Sequence, residues 1–444
     1  MTYKFYLQKA VRVLFLLWVT LALLLTALRS SRGEESEVAY VDGAASTSTS
    51  ISDLVATAVA RNPGIAAMDQ RIEATRGAMI QAGLPLNPNM ELYMEEIGAG
   101  GTAGEQGILV EQEFRTANKR GLAVCVEQWA LEVLTWQRRA VSGSVKNEVA
   151  IRTINLLAAR RLIAVRAHLL ELAETTERQS DSFLKAGEIS EMNFLQLKVQ
   201  AREAKLALTQ AKNDCAAAEK ELAALLLCDP TQLPAQIEES LEALCGAEPL
   251  DEDRLLDSLL ENNPVLNQTR TVVRQRQAEL SLAQAEARSN VTLGGGIAYD
   301  SEEETTVAAA GFAMPLRVYD RNQGNIKSAQ GRYAAALRDV ESAELTIKQQ
   351  LARVFQNWVN AREEVLVYRN DILPALERSW QMTFQAFQSS EAGYLEMYNS
   401  QVTYFQSAAQ YIASLRRLAS VRILLDGNLL EGDMLDDADL DGMD

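Results

Sequence analysis

The chain of 444 residues has little proline and little glycine, with 9 Pro and 24 Gly. Both residues interrupt helices, so their scarcity favours a fold of long helices. Positive charge is also in deficit, because 43 Lys and Arg face 60 Asp and Glu, which gives a formal net charge of −17. This balance argues against a nucleic-acid partner, since phosphate binding needs a surplus of Lys and Arg on one face.

Cysteine and histidine are too rare and too scattered for a metal site. Cys125, Cys215, Cys228 and Cys245 show no C-x-x-C or Cys/His spacing, and the lone His168 cannot build a metal centre or a catalytic triad. A Cys228–Cys245 pair across a loop is possible, but free buried thiols are favoured. The sequence also lacks a nucleophile–base pair, a phosphate loop and a ligand cluster. We therefore expect no enzyme activity, no cofactor and no bound metal.

The N-terminus has the layout of a secretory signal. Three basic residues precede an apolar run of 16 residues at 13–28. This arrangement predicts a signal peptide at residues 1–28, export from the cytoplasm, and a linker at 29–50. An uncleaved anchor is the alternative, although the run is shorter than the ~20 residues that span a bilayer. At the other end, residues 431–444 form an acidic run that we expect to be a disordered tail.

Internal repetition is the strongest organisational signal. Three segments match at offsets of 201, 202 and 203 residues: 54–65 with 255–266, 113–120 with 315–322, and 187–196 with 390–399. The first match pairs Asn62-Pro63 with Asn263-Pro264. Colinear matches of this kind predict a duplicated unit. We therefore divide the chain into a first repeat at 51–253 and a second repeat at 254–430.

Each repeat contains two short segments in which apolar and polar residues alternate, as they do in β-strands. The predicted strands lie at about 89–97, 107–115, 290–300 and 306–316. Four strands cannot close on themselves, so a partner must supply more. Strands that span a bilayer have about 9–11 residues and alternate in the same way. The candidates for an aromatic girdle at the membrane surface are Tyr93, Phe114, Tyr299 and Phe312.

A very long helical pair follows the strands of each repeat. The pairs are predicted at about 121–227 and about 324–425. In the second pair, apolar residues recur in steps of four and three at Tyr333, Leu337, Val340, Ile347, Leu351, Val354, Trp358, Ala361, Val365 and Tyr368. This heptad seam predicts antiparallel, coiled-coil-like packing.

The repeats, the early Asn-Pro of each repeat, the strand hairpins and the interrupted helical pairs resemble the TolC-like outer-membrane efflux factors. The segment P-L-R-V-Y-D-R-N-Q-G-N-I at 315–326 is similar to one in the heavy-metal, CzcC-like branch of that family. The resemblance implies a mainly α fold with a small β part. Long antiparallel helices would form a periplasmic α-barrel, and four strands per chain would contribute to a 12-stranded trimeric transmembrane β-barrel.

The turn from the last strand into the following helix is the most specific part of this resemblance. Pro315 can end the strand because proline does not donate to a sheet ladder. Asp320 is expected to cap the helix that Gly324 enters, because its carboxylate can accept from free N–H groups. Together with Arg321 and Asn322, these residues have a structural role and are not predicted to bind metal.

The far ends of the helical pairs are the expected gate. Gly187 and Gly393 mark the two turns, and by resemblance these turns contact a periplasmic adaptor. Where the family often carries two acidic positions in the second turn, this chain has Glu396 followed by Asn399. The corresponding residues of the first repeat are Asn193 and Gln196. The prediction is one ring of three Glu396 carboxylates, which would favour cations in a narrow aqueous neck.

The predicted function is a passive exit duct in the outer membrane, with a long periplasmic part. Its expected partners are two further copies of the chain, outer-membrane lipid, a periplasmic adaptor and an inner-membrane transporter of the RND type. The alternatives are the periplasmic adaptor itself and a structural coiled-coil rod of the envelope. Heavy-metal cations are the favoured cargo, whereas drugs, other small molecules or secreted proteins remain open.

Overall fold

The computed structural model describes residues 49–430, except 96, 98–103, 186, 188, 247–248, 302 and 390. The predicted signal peptide at 1–28, most of the linker and the predicted acidic tail at 431–444 lie outside the described residues. The described part is mainly helical with one small sheet, which confirms the predicted fold class.

The elements occur twice in the same order. The first series is α1 Ile51–Arg61, α2 Pro63–Ala82, β1 Asn89–Glu95, β2 Glu105–Phe114, α3 Lys119–Lys185 and α4 Glu191–Leu226. After a 3₁₀ turn at Pro230–Gln232 and the short α5 Leu241–Leu244, the second series is α6 Glu252–Asn262, α7 Pro264–Glu286, β3 Val291–Asp300, β4 Thr305–Ala313, α8 Gln323–Val367, a π-helical turn at Tyr368–Ile372, α9 Leu373–Gln388 and α10 Tyr394–Asp426.

The two Asn-Pro pairs start equivalent helices. Asn62 and Asn263 have nearly the same extended backbone, and each side chain accepts a hydrogen bond from a backbone N–H of the helix that follows. The proline after each asparagine occupies the first helical turn, where its missing N–H costs nothing. The 201-residue offset therefore reflects one cap used twice.

A residue with a left-handed backbone lies directly before each of the long helices α3 and α8. Asn118 has φ 54° and Asn322 has φ 61°. These residues are 204 positions apart, so the structural equivalence lies two residues beyond the 202-residue match seen in the sequence. Asparagine tolerates this conformation better than most residues because its short polar side chain can hydrogen-bond locally.

α3 is a single helix of 67 residues, about 100 Å long at ~1.5 Å per residue. α8 and α9 cover the corresponding length but are separated by the π-helical turn, and Pro374 follows that turn immediately. A proline cannot donate a helical hydrogen bond, so the local widening of the helix accommodates it. The heptad spacing of α8 does not mark this interruption.

Helix packing follows the predicted seam over most of α8. The buried residues on that helix are Ala329, Ala336, Ile347, Leu351, Val354, Trp358, Ala361 and Val365. Near the start of α8, Leu337 is exposed and Ala336 is buried, which corrects the seam there. The buried cluster around α8 also contains side chains of α3, α6, α7 and α10, and a separate cluster joins α1 to α3 and α4.

The four strands form one antiparallel sheet in the order β1-β2-β3-β4. The helices join the strands at one end of the sheet, and the two hairpin loops lie at the opposite end. β4 ends at Ala313, so the predicted strand residues 314–316 lie outside the sheet. Pro315 explains this early end, since it has no N–H to donate.

Among the described residues, none of the helices combines the length and the hydropathy needed to cross a membrane.

Candidate functional site

The turn between α3 and α4 forms the end of the first helical pair. Gly187 has φ +77°, a conformation that side chains other than glycine rarely adopt. Ser190 then starts α4, because its hydroxyl accepts a hydrogen bond of 3.2 Å from the backbone N–H of Asn193. Asn193 is half-buried and Gln196 is exposed on the first turns of α4.

The turn between α9 and α10 is its counterpart. Gly393 occupies the position before the helix, 203 residues after Ser190, but it has no side chain with which to cap α10. Its carbonyl oxygen accepts from the N–H of Glu396 at 3.1 Å. Glu396 and Asn399 are both exposed on this chain, whereas Met397 and Tyr398 between them are buried.

A buried cluster joins the two helical pairs near these turns. Its fully buried members are Leu169, Ala173, Leu197, Ala201, Ala204 and Tyr398. Tyr398 of the second repeat therefore packs against α3 and α4 of the first. The sequence signal for this contact is the spacing of Leu197, Ala201 and Ala204, which follow each other in the same steps of four and three as the seam on α8.

Aromatic rings hold α9 against α10 beside this cluster. The rings of Trp380 and Tyr404 stack with centroids 6.2 Å apart, and Tyr404 meets Phe405 edge-on at 5.4 Å. Burial raises the pKa of Tyr404, and the charge of Glu377 raises it further. The turn between α9 and α10 therefore lies beside a packed apolar cluster, and its polar residues Glu396 and Asn399 are exposed.

The sheet has one apolar face and one acidic face. The pairing register places on the apolar face Met90, Leu92 and Met94 of β1, Ile108, Val110 and Phe114 of β2, Leu293, Ile297 and Tyr299 of β3, and Phe312 of β4. All of these side chains are exposed on the single chain. Val291 of β3, which pairs with Phe114, lies on the same face and is half-buried. A contiguous exposed apolar face marks a surface that contacts a membrane or another protein chain.

Every charged side chain on the opposite face of the sheet is acidic. It includes Glu91 and Glu95 of β1, Glu105, Glu111 and Glu113 of β2, and Asp300 of β3. The four strands contain no Lys or Arg. Tyr93 also lies on this face, where its hydroxyl donates a hydrogen bond of 2.9 Å to Glu105 Oε1. The assignment of Tyr93 to an aromatic girdle was therefore wrong, while Phe114, Tyr299 and Phe312 do lie on the apolar face.

The turn from β4 into α8 is held by side chains, but not in the predicted way. Asp320 Oδ1 accepts from the N–H of Asn322 at 2.8 Å, so it closes the turn before the helix and does not cap the helix itself. Asn322 is the residue before α8, and its Nδ2 donates to the carbonyl oxygen of Ala283 in α7 at 2.8 Å. The N–H of Arg321 donates to Gln323 Oε1 at 2.9 Å. Gly324 follows in the first turn of α8.

Lys119 fastens the sheet to the helices on the other side of this junction. Its Nζ donates to the carbonyl oxygen of Arg288 at 2.6 Å and to Asn290 Oδ1 at 2.5 Å. Burial lowers the pKa of Lys119, and the nearby charges of Arg317 and Arg115 lower it as well, while Glu286 and Glu113 oppose them. No local pattern marks this lysine as buried, because both of its partners lie about 170 positions further along the chain.

Residues 49–430, apart from the gaps given above, contain no group of three or more His, Cys, Asp or Glu side chains arranged to hold a metal ion. The four cysteines are free, and Cys215 and Cys245 are buried. The lone His168 is largely exposed on α3, and its Nδ1 lies 3.9 Å from Glu171 Oε2.

Known proteins share both the sequence pattern and the fold. Residues 255–426, which make up most of the second repeat, match the family described as outer membrane efflux protein. The cobalt-zinc-cadmium resistance protein CzcC of Cupriavidus metallidurans is 23% identical over 369 residues, which cover 83% of this chain and 87% of that protein. This relative agrees with the predicted resemblance to the heavy-metal branch.

Solved structures extend the likeness to the whole fold. The outer-membrane channel OprN superposes with a TM-score of 0.72 at 14% identity, over 86% of this chain and 90% of OprN. CusC gives 0.69 at 14% identity over 89% and 99% of the two chains. VceC of Vibrio cholerae gives 0.69 at 17% identity over 86% and 97%. The second repeat therefore matches the outer membrane efflux protein family, and the described chain has the fold of these solved outer-membrane proteins.

Proposed function

We propose that three copies of the chain form the passive exit duct of a tripartite efflux pump that exports heavy-metal cations. The observation that carries this proposal is the sheet. Among the strands described, β1 and β4 are each paired on one side only. An open sheet of four strands exposes two edges that tend to pair with another chain. Three such sheets joined edge to edge give 12 strands and leave no edge.

The two faces of the sheet support a position across the bilayer. The apolar face, with Leu92, Ile108 and Ile297 in adjacent strands, would meet the hydrocarbon. The acidic face would line the water-filled interior, as polar residues do in membrane barrels. Its length also fits, because β2, β3 and β4 have 10, 10 and 9 residues, within the ~9–11 that span a membrane.

Cations are the cargo that this interior favours. Six carboxylates per chain face inward without a single Lys or Arg on the strands. Rings of acidic side chains attract cations and repel anions. The relative named for cobalt, zinc and cadmium resistance narrows the proposal to divalent heavy metals.

The ends of the helical pairs are the sites at which the pump partners would bind. The turns at Gly187 and Gly393 would contact a periplasmic adaptor, which connects the duct to an inner-membrane transporter of the RND type. Glu396 would form a ring of three carboxylates at the entrance, with Asn399, Asn193 and Gln196 as uncharged polar neighbours. The exposed positions of Glu396, Asn399 and Gln196 are consistent with this arrangement.

The decisive experiment is a planar-bilayer recording of the full chain extracted from membranes in detergent, together with its mass from light scattering. We expect a trimeric mass and cation-selective pores. A folded, membrane-extracted sample that forms no pores would favour the adaptor or the structural rod. Cells that lack their own exit duct would test the cargo: restored tolerance to cobalt, zinc or cadmium is expected, whereas restored tolerance to drugs alone would contradict the metal assignment.

A further inference from the structure

The segment between β4 and α8 exposes large apolar side chains next to arginines. Leu316 is 81% exposed and Tyr319 is 92% exposed. Arg317 follows Leu316 directly, Arg321 lies two residues after Tyr319 with Asp320 between them, and all three charged residues are exposed as well. On the single chain this tyrosine has almost no packing partner, so a surface outside the chain must account for its position.

The backbone of this segment is fixed at both ends. Ser289 Oγ donates to the carbonyl oxygen of Pro315 at 2.6 Å, and Asp320 Oδ1 accepts from the N–H of Asn322 at 2.8 Å. The exposure of Leu316 and Tyr319 is therefore built into the turn.

Two more arginines lie at the same end of the sheet, where the helices join the strands. Arg115 follows the end of β2, and Arg288 precedes the start of β3. We call Arg115, Arg288, Arg317 and Arg321, together with Leu316 and Tyr319, the arginine collar. In the part of the chain that the structure describes, none of the four guanidinium groups forms an ion pair.

The sign of the charge changes at this end of the sheet. The charged residues of the strands are all acidic, whereas the collar contains four arginines. Arg115 and Arg317 lie close enough to Lys119 for their charges to lower its pKa after the larger effect of burial. Like charges are costly to gather without a counter-charge. Asp320 within the segment and Glu113 and Glu286 near Lys119 offset part of this positive charge, and the four exposed arginines remain available to an anionic surface.

The chemistry of the collar matches a lipid headgroup layer. Tyrosine and arginine are suited to the boundary of a membrane, where an apolar body meets hydrocarbon and a polar end meets water. Arginine also forms paired hydrogen bonds with phosphate oxygens. The collar continues the apolar face of the sheet, because Phe312 on that face lies just before Met314 and Leu316, which are also exposed.

We propose that the arginine collar binds the phosphates of anionic phospholipids in the leaflet on the helical side of the membrane. Leu316 and Tyr319 insert at the level of the headgroups, and Arg317 and Arg321 hold the phosphates. The collar thus sets the depth of the sheet in the bilayer. This inference rests on the proposed transmembrane position of the sheet.

The test measures phospholipid binding to the full chain purified in detergent. The probes are dioctanoyl-phosphatidylglycerol and zwitterionic dioctanoyl-phosphatidylcholine, with bound lipid counted by native mass spectrometry. We expect the wild type to prefer the anionic lipid, and the preference to weaken with salt because screening shortens the reach of exposed charges. Each arginine near an anionic surface contributes about a fivefold gain in affinity. The double variant Arg317→Gln/Arg321→Gln should therefore lower the preference by about 25-fold.

Matched variants separate charge at the collar from charge elsewhere. Arg332→Gln/Lys348→Gln removes two positive charges from exposed positions farther along α8 and should leave the preference unchanged. Arg317→Lys/Arg321→Lys keeps the charge and should retain most of it, even if the glutamine variant does not fold. An unchanged preference in a folded Arg317→Gln/Arg321→Gln protein would overturn the inference. So would a loss of trimeric mass in that variant, which would make the collar a contact between copies, or equal stabilisation of the wild type by inorganic phosphate.

Pore recordings on the same samples keep the two proposals apart. Pores without any preference for phosphatidylglycerol would remove the collar but keep the duct. A wild type that forms no pores would instead contradict the duct.

Discussion

Asn147, buried on α3, donates a hydrogen bond of 3.0 Å from Nδ2 to the carbonyl oxygen of Gly427, just beyond the end of α10. The same Nδ2 donates to the carbonyl oxygen of Leu430 at 2.9 Å. Asn263 adds a third bond of 2.9 Å to the carbonyl oxygen of Asn428. Carbonyl groups at the end of a helix lack partners within the helix, so these two asparagines attach the end of α10 to both repeats.

Gly427→Ala should destabilise this attachment. A Cβ at position 427 would lie 2.1 Å from Asn147 Oδ1, and the buried asparagine cannot move away without losing its two hydrogen bonds. Overpacking of this kind costs about 1–3 kcal/mol. Thermal denaturation of the detergent-solubilised protein should show a lower midpoint.

Gly331→Ala is the matched control for that substitution. Gly331 lies within α8, and a Cβ there would meet nothing within 4 Å. Alanine favours a helix over glycine by about 1 kcal/mol, so the midpoint should stay or rise. Equal midpoints for the two variants would show that the contact between Asn147 and Gly427 does not hold α10.

The ion pair between Asp69 and Arg138 should stabilise the protein above acidic pH. Arg138 Nε and Nη2 donate to the two carboxylate oxygens of Asp69 at 2.5 and 3.2 Å, and this pair joins α2 to α3. The hydrogen bond from Arg138 holds the pKa of Asp69 below its usual value. The stabilisation is therefore present above the unfolded pKa of about 4 and is lost as the pH falls through the lower folded pKa.

Asp69→Asn should remove this part of the pH dependence. The midpoint of thermal unfolding is to be compared at pH 7, 5 and 3, and the difference from wild type should shrink towards pH 3. Glu73→Gln is the control, because Glu73 pairs with Arg76 within a single helix. A constant difference across all three pH values would contradict the role of the Asp69 carboxylate.

The Cys245 thiol should resist alkylation until the protein unfolds. Burial raises its pKa to about 11, and Glu242 adds to the effect. Its Sγ donates to the carbonyl oxygen of Leu241 at 3.2 Å. The thiolate is the reactive form, and about a thousandth of the thiol would be ionised at pH 8.

A chain that retains only Cys245 should therefore react slowly with iodoacetamide at pH 8, and a chain that retains only the half-buried Cys125 should react faster. The raised pKa also means that the free energy of unfolding falls as the pH rises from about 8.5, the pKa of the thiol in the unfolded chain, through its pKa in the folded protein. Equal labelling rates for the two chains in the folded state would contradict the burial of Cys245.

Glu396→Gln should weaken cation selectivity if three carboxylates line the entrance. The measurement is the reversal potential in a salt gradient across a planar bilayer, with the single-channel current recorded in parallel. Glu363→Gln removes the same charge from an exposed position on α8, far from the turn, and should have no effect. Pores whose selectivity is the same in wild type and Glu396→Gln would keep the duct and remove the ring.

Much of the fold is predictable because it depends on local spacing. The heptad steps identify Ile347, Leu351, Val354, Trp358 and Ala361 as buried, and all five are. Period-two alternation in the strands likewise sorts the apolar face of the sheet from the acidic face. Side-chain direction in helices and strands repeats with a fixed period, so these properties can be read one segment at a time.

The errors fall where a residue depends on a distant partner. Tyr93 was assigned to the girdle by residue type, but its hydroxyl donates to Glu105 across the hairpin. Asp320 was expected to cap α8, but Asn322 takes the position before the helix because its side chain reaches Ala283 in α7. Tyr398 was not selected at all, and it is buried only because α10 packs against the first repeat.

The sequence by itself determines the duplicated order of elements, the long helices, the two-faced strands and the acidic charge. These follow from residue type and period, which are properties of neighbouring positions in the chain. The tertiary structure decides which helix ends meet, where Asn147 and Lys119 donate their hydrogen bonds, and which arginines gather at one end of the sheet. Those contacts join residues that are tens to hundreds of positions apart, and their energies depend on a geometry that exists only once the two repeats pack together.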